Sequence, residues 1–308
     1  MKQQTKALCT VLLAGILWGC IGLFANQLSA GGLDSLQITA LRAVLGALIF
    51  LIAGLLRGPK RLKIRLKDTW MFFGMGILSV VLFNVCYFDT MIHSEVSAAV
   101  VLLYTSPAFV MLLSALIFRE RVTGRRIAAL LLTAAGCVLV AGLIGSGVKL
   151  TPRVLLTGLG SGFFYALYTI FGRAALAKYE TQTVTVWTFL FAAAGSVPIA
   201  EAGSTVSLMQ KAPMLLLWAV GITVFCTVLP YFFYTWGLQR MDAGKAAILV
   251  AVEPMVGALL GMTVLHESHG ITKLTGVVLI LAAVILLGTE REKAQPPHRA
   301  CNREENMV

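Results

Sequence analysis

The chain has 308 residues, 58% of them hydrophobic and 13% charged, with a mean hydropathy of +0.86 and a formal net charge of +11. A water-soluble domain carries about a quarter of its residues charged, so this composition excludes one and places the chain in lipid. The surplus of cations suggests nucleic acid at first sight, but its distribution along the chain follows membrane topology, and no nucleic-acid partner is expected.

Ten apolar runs are long enough to cross a hydrocarbon core, which takes about 20 helical residues. In chain order they are Ala7–Leu28, Ser35–Leu56, Trp70–Thr90, Ser97–Phe118, Ile127–Gly145, Val154–Ala175, Thr183–Ala200, Leu215–Trp236, Ala243–Leu265 and Ile271–Leu287, numbered here as spans 1 to 10. None alternates apolar and polar residues as a barrel strand must, so the expected fold is an all-α integral membrane protein. Lys2 and Lys6 before span 1 imitate a secretory signal, but the run lacks a clear small-x-small cleavage site and is read as a retained helix.

The chain matches itself when shifted by 147 residues: Gly15 falls on Gly162, Gly74 on Gly221, Tyr87 on Tyr234, Pro107 on Pro254 and Glu120 on Glu267. Tyr, Pro and Glu are scarce here, so three such matches in one register indicate internal duplication. Five spans per copy make the second copy start from the opposite face. Residues 1–147 and 148–288 are therefore expected to form two inverted five-helix repeats, a transporter signature, followed by a polar tail over 289–308, containing Pro296 and Pro297 and expected to be disordered.

Of the 25 Lys and Arg residues, 20 fall on the face that carries the N-terminus, while Lys149, Arg153, Lys211 and Lys273 fall opposite and Arg42 lies inside span 2. The positive-inside rule then puts both termini in the cytoplasm of a multi-pass protein of the cell membrane. The lipid bilayer is the expected partner, with attraction to anionic headgroups. Six cysteines show no metal-ligand spacing and five lie within apolar runs, where buried inert thiols are expected. Stripes such as Gly15 with Gly19, Gly158 with Gly162 and Gly257 with Gly261 allow close helix packing; they are compatible with a homodimer without requiring one.

Candidate site residues gather near the middle of the spans. Trp18 and its repeat mate Tyr165 lie halfway along spans 1 and 6, and Pro107 and Pro254 halfway along spans 4 and 9. A proline removes one helix hydrogen bond and frees a carbonyl at bilayer depth, which reads either as an ordinary kink or as a hinge beside a solvated cavity. Glu253, directly before Pro254, is an acid near mid-span, and its cost in lipid, about 2.5–3.5 kcal/mol, turns it inward. Its repeat mate is Ser106. With Asn84, Tyr87, Tyr104, Tyr168, Tyr231 and Tyr234 it makes a candidate substrate site, in which aromatic faces and a carboxylate suit small amphipathic molecules and organic cations. Glu120 and Glu267 close the kinked helices at opposite faces; they either pair with neighbours such as Arg125 or Arg126 or pack the helix ends. His266 and His269 are three residues apart at a span end and make no metal site. No phosphate-binding loop, nucleophile elbow or zincin motif occurs, so no cofactor and no catalytic residue is assigned.

The segment 102–121, LLYTSPAFVMLLSALIFRER, and its copy 249–267, LVAVEPMVGALLGMTVLHE, resemble the repeated motif of the EamA family in the drug/metabolite transporter superfamily; Leu17-Trp18-Gly19 and Leu41-Arg42 are similar to positions typical of its first repeat. The resemblance implies ten helices in two inverted repeats, alternating access without ATP and a central cavity. It carries the motif prolines onto Pro107 and Pro254 and the motif acids onto Glu120 and Glu267. The second copy departs at Lys245, opposite Ala98, and at Phe189, opposite Arg42. The leading expectation is a secondary transporter that exports a small metabolite such as an amino acid or amine. An importer or facilitator, and a membrane-embedded enzyme acting on a lipid-linked substrate, stand as alternatives.

Overall fold

The computed structural model describes residues 2–94, 96–143, 151–264 and 271–290. Among them, nine helices are long and apolar enough to cross a membrane: Gln3–Ala30, Ser35–Arg57, Leu66–His93, Val96–Phe118, Pro152–Leu176, Thr181–Ile199, Met214–Leu238, Ala243–Thr263 and Ile271–Gly288. These are spans 1 to 4 and 6 to 10. Span 5 is Gly124–Val140, whose 17 residues lie at the short end of what crosses a bilayer. It starts three residues before the apolar run because Thr123 caps it, its hydroxyl accepting from the Arg126 amide at 3.3 Å. Leu265 and Gly145, expected span ends, lie outside the described residues.

Large apolar side chains cover the outside of the bundle, among them Leu56, Leu116, Leu156 and Ile285, all well exposed. In water such a belt would aggregate; in a bilayer it is the lipid-facing surface. The interior is built from small residues and aromatics, with Ala7, Ala14, Ala166, Ala243 and Ala246 fully buried.

Packing follows the repeat. Span 2 lies along span 7 and span 5 along span 10, each pair being its own mate under the 147-residue shift. Span 3 lies along span 6 as span 8 lies along span 1, and span 4 meets span 6 as span 9 meets span 1. Each half therefore completes the other.

Five spans depart from plain α-helix: span 1 divides at Cys20 into Lys2–Gly19 and Ile21–Ala30, with no counterpart in the unbroken span 6, and spans 3, 4, 8 and 9 depart in matching pairs. Span 4 divides into Val96–Leu103 and Ser106–Phe118, and span 9 into Ala243–Val250 and Glu253–Thr263, so the gaps Tyr104–Thr105 and Ala251–Val252 are themselves 147 residues apart. Pro107 and Pro254 are the second residues of the outgoing segments. Having no N–H and crowding the carbonyl four residues back, they leave the chain to tighten, with Thr105 N bonding Leu102 O at 3.2 Å and Ala251 N bonding Ile248 O at 3.2 Å. Spans 3 and 8 instead widen into π-helical turns at Gly74–Val81 and Val224–Val228, whose last residues are also 147 apart.

Two peripheral elements are not foreshadowed in the apolar pattern. A surface helix, Ala202–Lys211, links spans 7 and 8 and is fastened by Gln37 Nε2 donating to Ser204 Oγ at 2.8 Å. On the opposite face the link between spans 2 and 3 is pinned to the second half: Trp187 Nε1 donates to Leu62 O at 2.8 Å, and buried Asp68 accepts from Lys178 Nζ at 2.6 Å and Tyr179 OH at 2.7 Å.

Candidate functional site

The broken and widened segments converge on one aromatic cluster. Trp18 of span 1 meets Tyr231 edge-on, with ring centroids 5.0 Å apart, and Tyr234 at 5.5 Å; Tyr168 of span 6 meets the same two tyrosines at 5.2 and 6.1 Å. Phe83 joins Tyr165 at 5.3 Å and Tyr87 at 5.7 Å. Between them lies a cavity of about 20 Å³ lined by Trp18, Phe83, Tyr165, Tyr168, Tyr231 and Tyr234 together with Ser79, Val80 and Thr169. That is room for little more than one water, so the site stands closed in this conformation.

Two of the tyrosine tips are satisfied from within. Tyr168 OH lies 3.0 Å from Thr235 Oγ1 and Tyr234 OH lies 2.7 Å from Thr169 Oγ1. Glu253, first residue of the outgoing half of span 9, faces the hydroxyls of Tyr104 and Tyr165. An acid at bilayer depth thus lies beside two phenol hydroxyls and an aromatic wall, at the break that Pro254 enforces.

The sequence candidates divide accordingly. Trp18, Tyr165, Tyr168, Tyr231 and Tyr234 line the cavity, Tyr104 and Glu253 adjoin it through Tyr165, and Tyr87 stands behind Phe83. Asn84 turns elsewhere, donating to Val80 O at 2.7 Å and accepting from Thr39 Oγ1 at 3.2 Å. Thr169, Thr235, Ser79 and Phe83 were not singled out, because hydroxyl and phenyl side chains are unremarkable in an apolar helix until the tyrosines they serve are seen beside them.

Of the two helix-end acids, Glu120 takes the helix-end role and not the arginine pairing. Glu120 pairs with neither Arg125 nor Arg126: its carboxylate accepts from the backbone amides of Ala243 at 2.8 Å and Gly244 at 3.2 Å, capping the positive end of span 9. Arg126, buried, is held instead by Asp242 at 2.5 Å, Glu290 at 3.3 Å and Arg121 O at 3.1 Å. Glu290 is therefore packed and paired, although it falls in the expected tail; Glu267, His266, His269 and the tail from residue 291 lie outside the described residues. The thiols also differ from expectation: Cys137 and Cys226 are buried, but Cys9 is exposed and Cys20 and Cys86 are only partly covered.

The profile of the EamA-like transporter family fits the chain twice over, at residues 5–142 and again at residues 152–289. The chain belongs to the EamA-like transporter family. An uncharacterized transporter of Archaeoglobus fulgidus is 28% identical over 91% of this chain and 95% of its own length. The uncharacterized inner membrane transporter YicL of Salmonella typhimurium is 26% identical over 95% and 98%, and the uncharacterized transporter YvbV of Bacillus subtilis 24% identical over 96% of each. A crystal structure sharing 19% identity superimposes with a TM-score of 0.75 over 92% of this chain and 96% of its own, which establishes the shared fold. The protein is thus a multi-pass membrane transporter of EamA architecture.

Proposed function

We propose that this EamA protein is a secondary carrier that exports a small polar or amphipathic metabolite, of the amino acid or amine class, across the cytoplasmic membrane by alternating access around the aromatic centre. The observation that carries this reading is Glu253 at the break of span 9, beside the hydroxyls of Tyr104 and Tyr165 and adjoining, through Tyr165, the cavity edged by Trp18 and Tyr231. A carboxylate framed by aromatic faces attracts ammonium groups, and paired breaks at Pro107 and Pro254 supply hinges in both halves. Closure around a bound solute, followed by opening on the other side, needs only that the solute bind better in the closed states.

A counterflow screen in proteoliposomes tests the reading directly. Vesicles preloaded with individual amino acids, amines or nucleotide-sized metabolites should accelerate entry of the matching labelled compound; absence of counterflow across the whole panel would reject a carrier of this class. Coupling to protons requires Glu253 to release and recapture one. Glu253→Gln is then expected to exchange substrate still, but to lose its response to an imposed proton gradient, and an unchanged response would remove Glu253 from that role.

A further inference from the structure

Both π-turns are braced from one face of span 2. Thr39 and Arg42, three residues apart and therefore on the same side of the helix, reach the two widened segments in opposite halves of the protein. Thr39 Oγ1, whose single proton is shared with Ser35 O at 2.8 Å, reaches Asn84 Oδ1 at 3.2 Å, and Asn84 Nδ2 donates to Val80 O in the turn of span 3 at 2.7 Å. Arg42 Nε donates to Thr227 Oγ1 at 2.8 Å and its Nη2 to Cys226 O at 3.1 Å in the turn of span 8, while Thr227 Oγ1 donates to Ile222 O five residues back at 3.3 Å.

A π-turn contains one residue more than the α-helical turn it replaces. Absorbing or releasing that residue rotates one flank of the helix against the other by roughly 100° and slides it by roughly 1.5 Å. The residues that depend on this phase are those of the site: Phe83 and Tyr87 follow the turn of span 3, and Tyr231 and Tyr234 follow that of span 8. Carbonyls displaced from the regular ladder have no water to bond at bilayer depth, so a widened turn persists only where protein donors reach it. Here the donors come from Asn84, Thr227 and Arg42.

We infer that Arg42 is the positioning residue that holds span 8 in its widened phase, and that together with Thr39 it makes span 2 a brace setting the tyrosine wall of the site from both halves at once. Its repeat mate, Phe189, has no such donors and packs on Tyr231 with centroids 4.9 Å apart, so the brace exists once and serves two turns. The geometry stands independently of the carrier reading; only its consequence for turnover rests on it.

The test is a cysteine-accessibility scan of residues 229–238 in the full-length protein, in membranes, using a small permeant thiol reagent and a background in which the native cysteines are replaced. With Arg42 present, the protected positions should follow the side carrying Tyr234, Thr235 and Leu238, which are buried. Arg42→Gln should move the protected set by one residue, and Arg42→Lys, which keeps one donor in reach of Cys226 O, should largely restore it. Thr227→Val removes the other end of the brace without touching the charge and should shift the same positions, which keeps the test decisive if Arg42→Gln does not fold. Once a counterflow substrate is known, the shifted variants should lose affinity more than maximal rate. An unchanged protected set in Thr227→Val, or in a folded Arg42→Gln protein, would overturn the inference while leaving the carrier reading intact; absence of counterflow with a shifted set would do the reverse.

Discussion

Glycines at the two helix breaks allow a sharp test of how the halves are joined. A methyl group on Gly15 in span 1 would lie 2.8 Å from Val250 O and 2.5 Å from Val252 Cγ1, at the break of span 9. One on Gly162 in span 6 would lie 2.9 Å from Leu102 O and 2.5 Å from Thr105 Oγ1, at the break of span 4. Both contacts are too short to exist, and the obstacles include backbone carbonyls that the breaks hold in place. Overpacking of this kind typically costs about 1–3 kcal/mol. Replacing a helical glycine by alanine also gains roughly 0.5–1 kcal/mol of helix propensity, so each substitution needs a control that shares the gain. Gly22 has no atom within 4 Å, and Gly160 would meet only Cys86 Sγ at an ordinary 3.6 Å. The propensity gain largely cancels between Gly15→Ala and Gly22→Ala, and between Gly162→Ala and Gly160→Ala. A stability gap of about 1–3 kcal/mol in each pair is the expected remainder. Thermal unfolding of the purified protein in detergent measures it. Equal stabilities within either pair would mean that spans 1 and 6 do not press on the breaks, and the packing argument for paired joints would fail.

Three further outcomes follow from the polar contacts. Glu120→Ala removes both caps on the start of span 9 and should lower stability by about 1.5–3 kcal/mol, with Glu120→Gln, which keeps one oxygen acceptor, falling between it and wild type in the same unfolding assay. Arg126→Met leaves Asp242 and Glu290 without their buried partner and should cost about 3–5 kcal/mol, whereas the double change with Asp242→Asn should recover part of that loss. Single cysteines at positions 63 and 211 should be labelled by an impermeant thiol reagent from opposite sides of a right-side-out membrane vesicle, position 211 from outside; labelling of both from one side would contradict the inverted arrangement.

What was legible in the sequence depended on how local its cause is. Span existence follows from apolar length alone, and the breaks at Tyr104–Thr105 and Ala251–Val252 follow from the missing N–H of Pro107 and Pro254. The π-turns have no such local cause. Gly74–Val81 and Val224–Val228 read as ordinary apolar helix, and their widening depends on donors that include Arg42, over 180 residues from its acceptors Cys226 and Thr227. Glu120 was visible as a repeated acid, but its partner is a helix start more than 120 residues away, chosen by packing, while the nearby arginines drew attention because they are near in sequence. Asn84 shows the same limit in reverse: a polar residue at mid-span suggested a ligand, yet the adjacent widened turn consumes its hydrogen bonds.

The repeat keeps symmetry at the proline breaks and π-turn ends and abandons it at three charged positions, Arg42, Glu253 and Lys245. Gly15 and Gly162, the two helix breaks, and the ends of both π-turns at Val81 and Val228 all obey the same 147-residue shift. Arg42 faces Phe189, Ser106 faces Glu253 and Ala98 faces Lys245 across it. For a carrier these two behaviours are complementary. Inverted copies of one backbone can exchange conformations, so that the form open to one side is built from the same joints as the form open to the other and the two differ little in energy. Single-copy charges are then free to bias that near-balance, because a differential interaction of a few kcal/mol is enough to shift such an equilibrium substantially. Arg126 and Glu120 bind the halves together on the terminal face through Asp242, Glu290 and the amides of Ala243 and Gly244, and buried Lys245 supports that group from within the second half by donating to Glu290 O at 3.0 Å. Substitutions there should alter which side the protein prefers to face, whereas substitutions at Gly15 and Gly162 should damage both conformations alike.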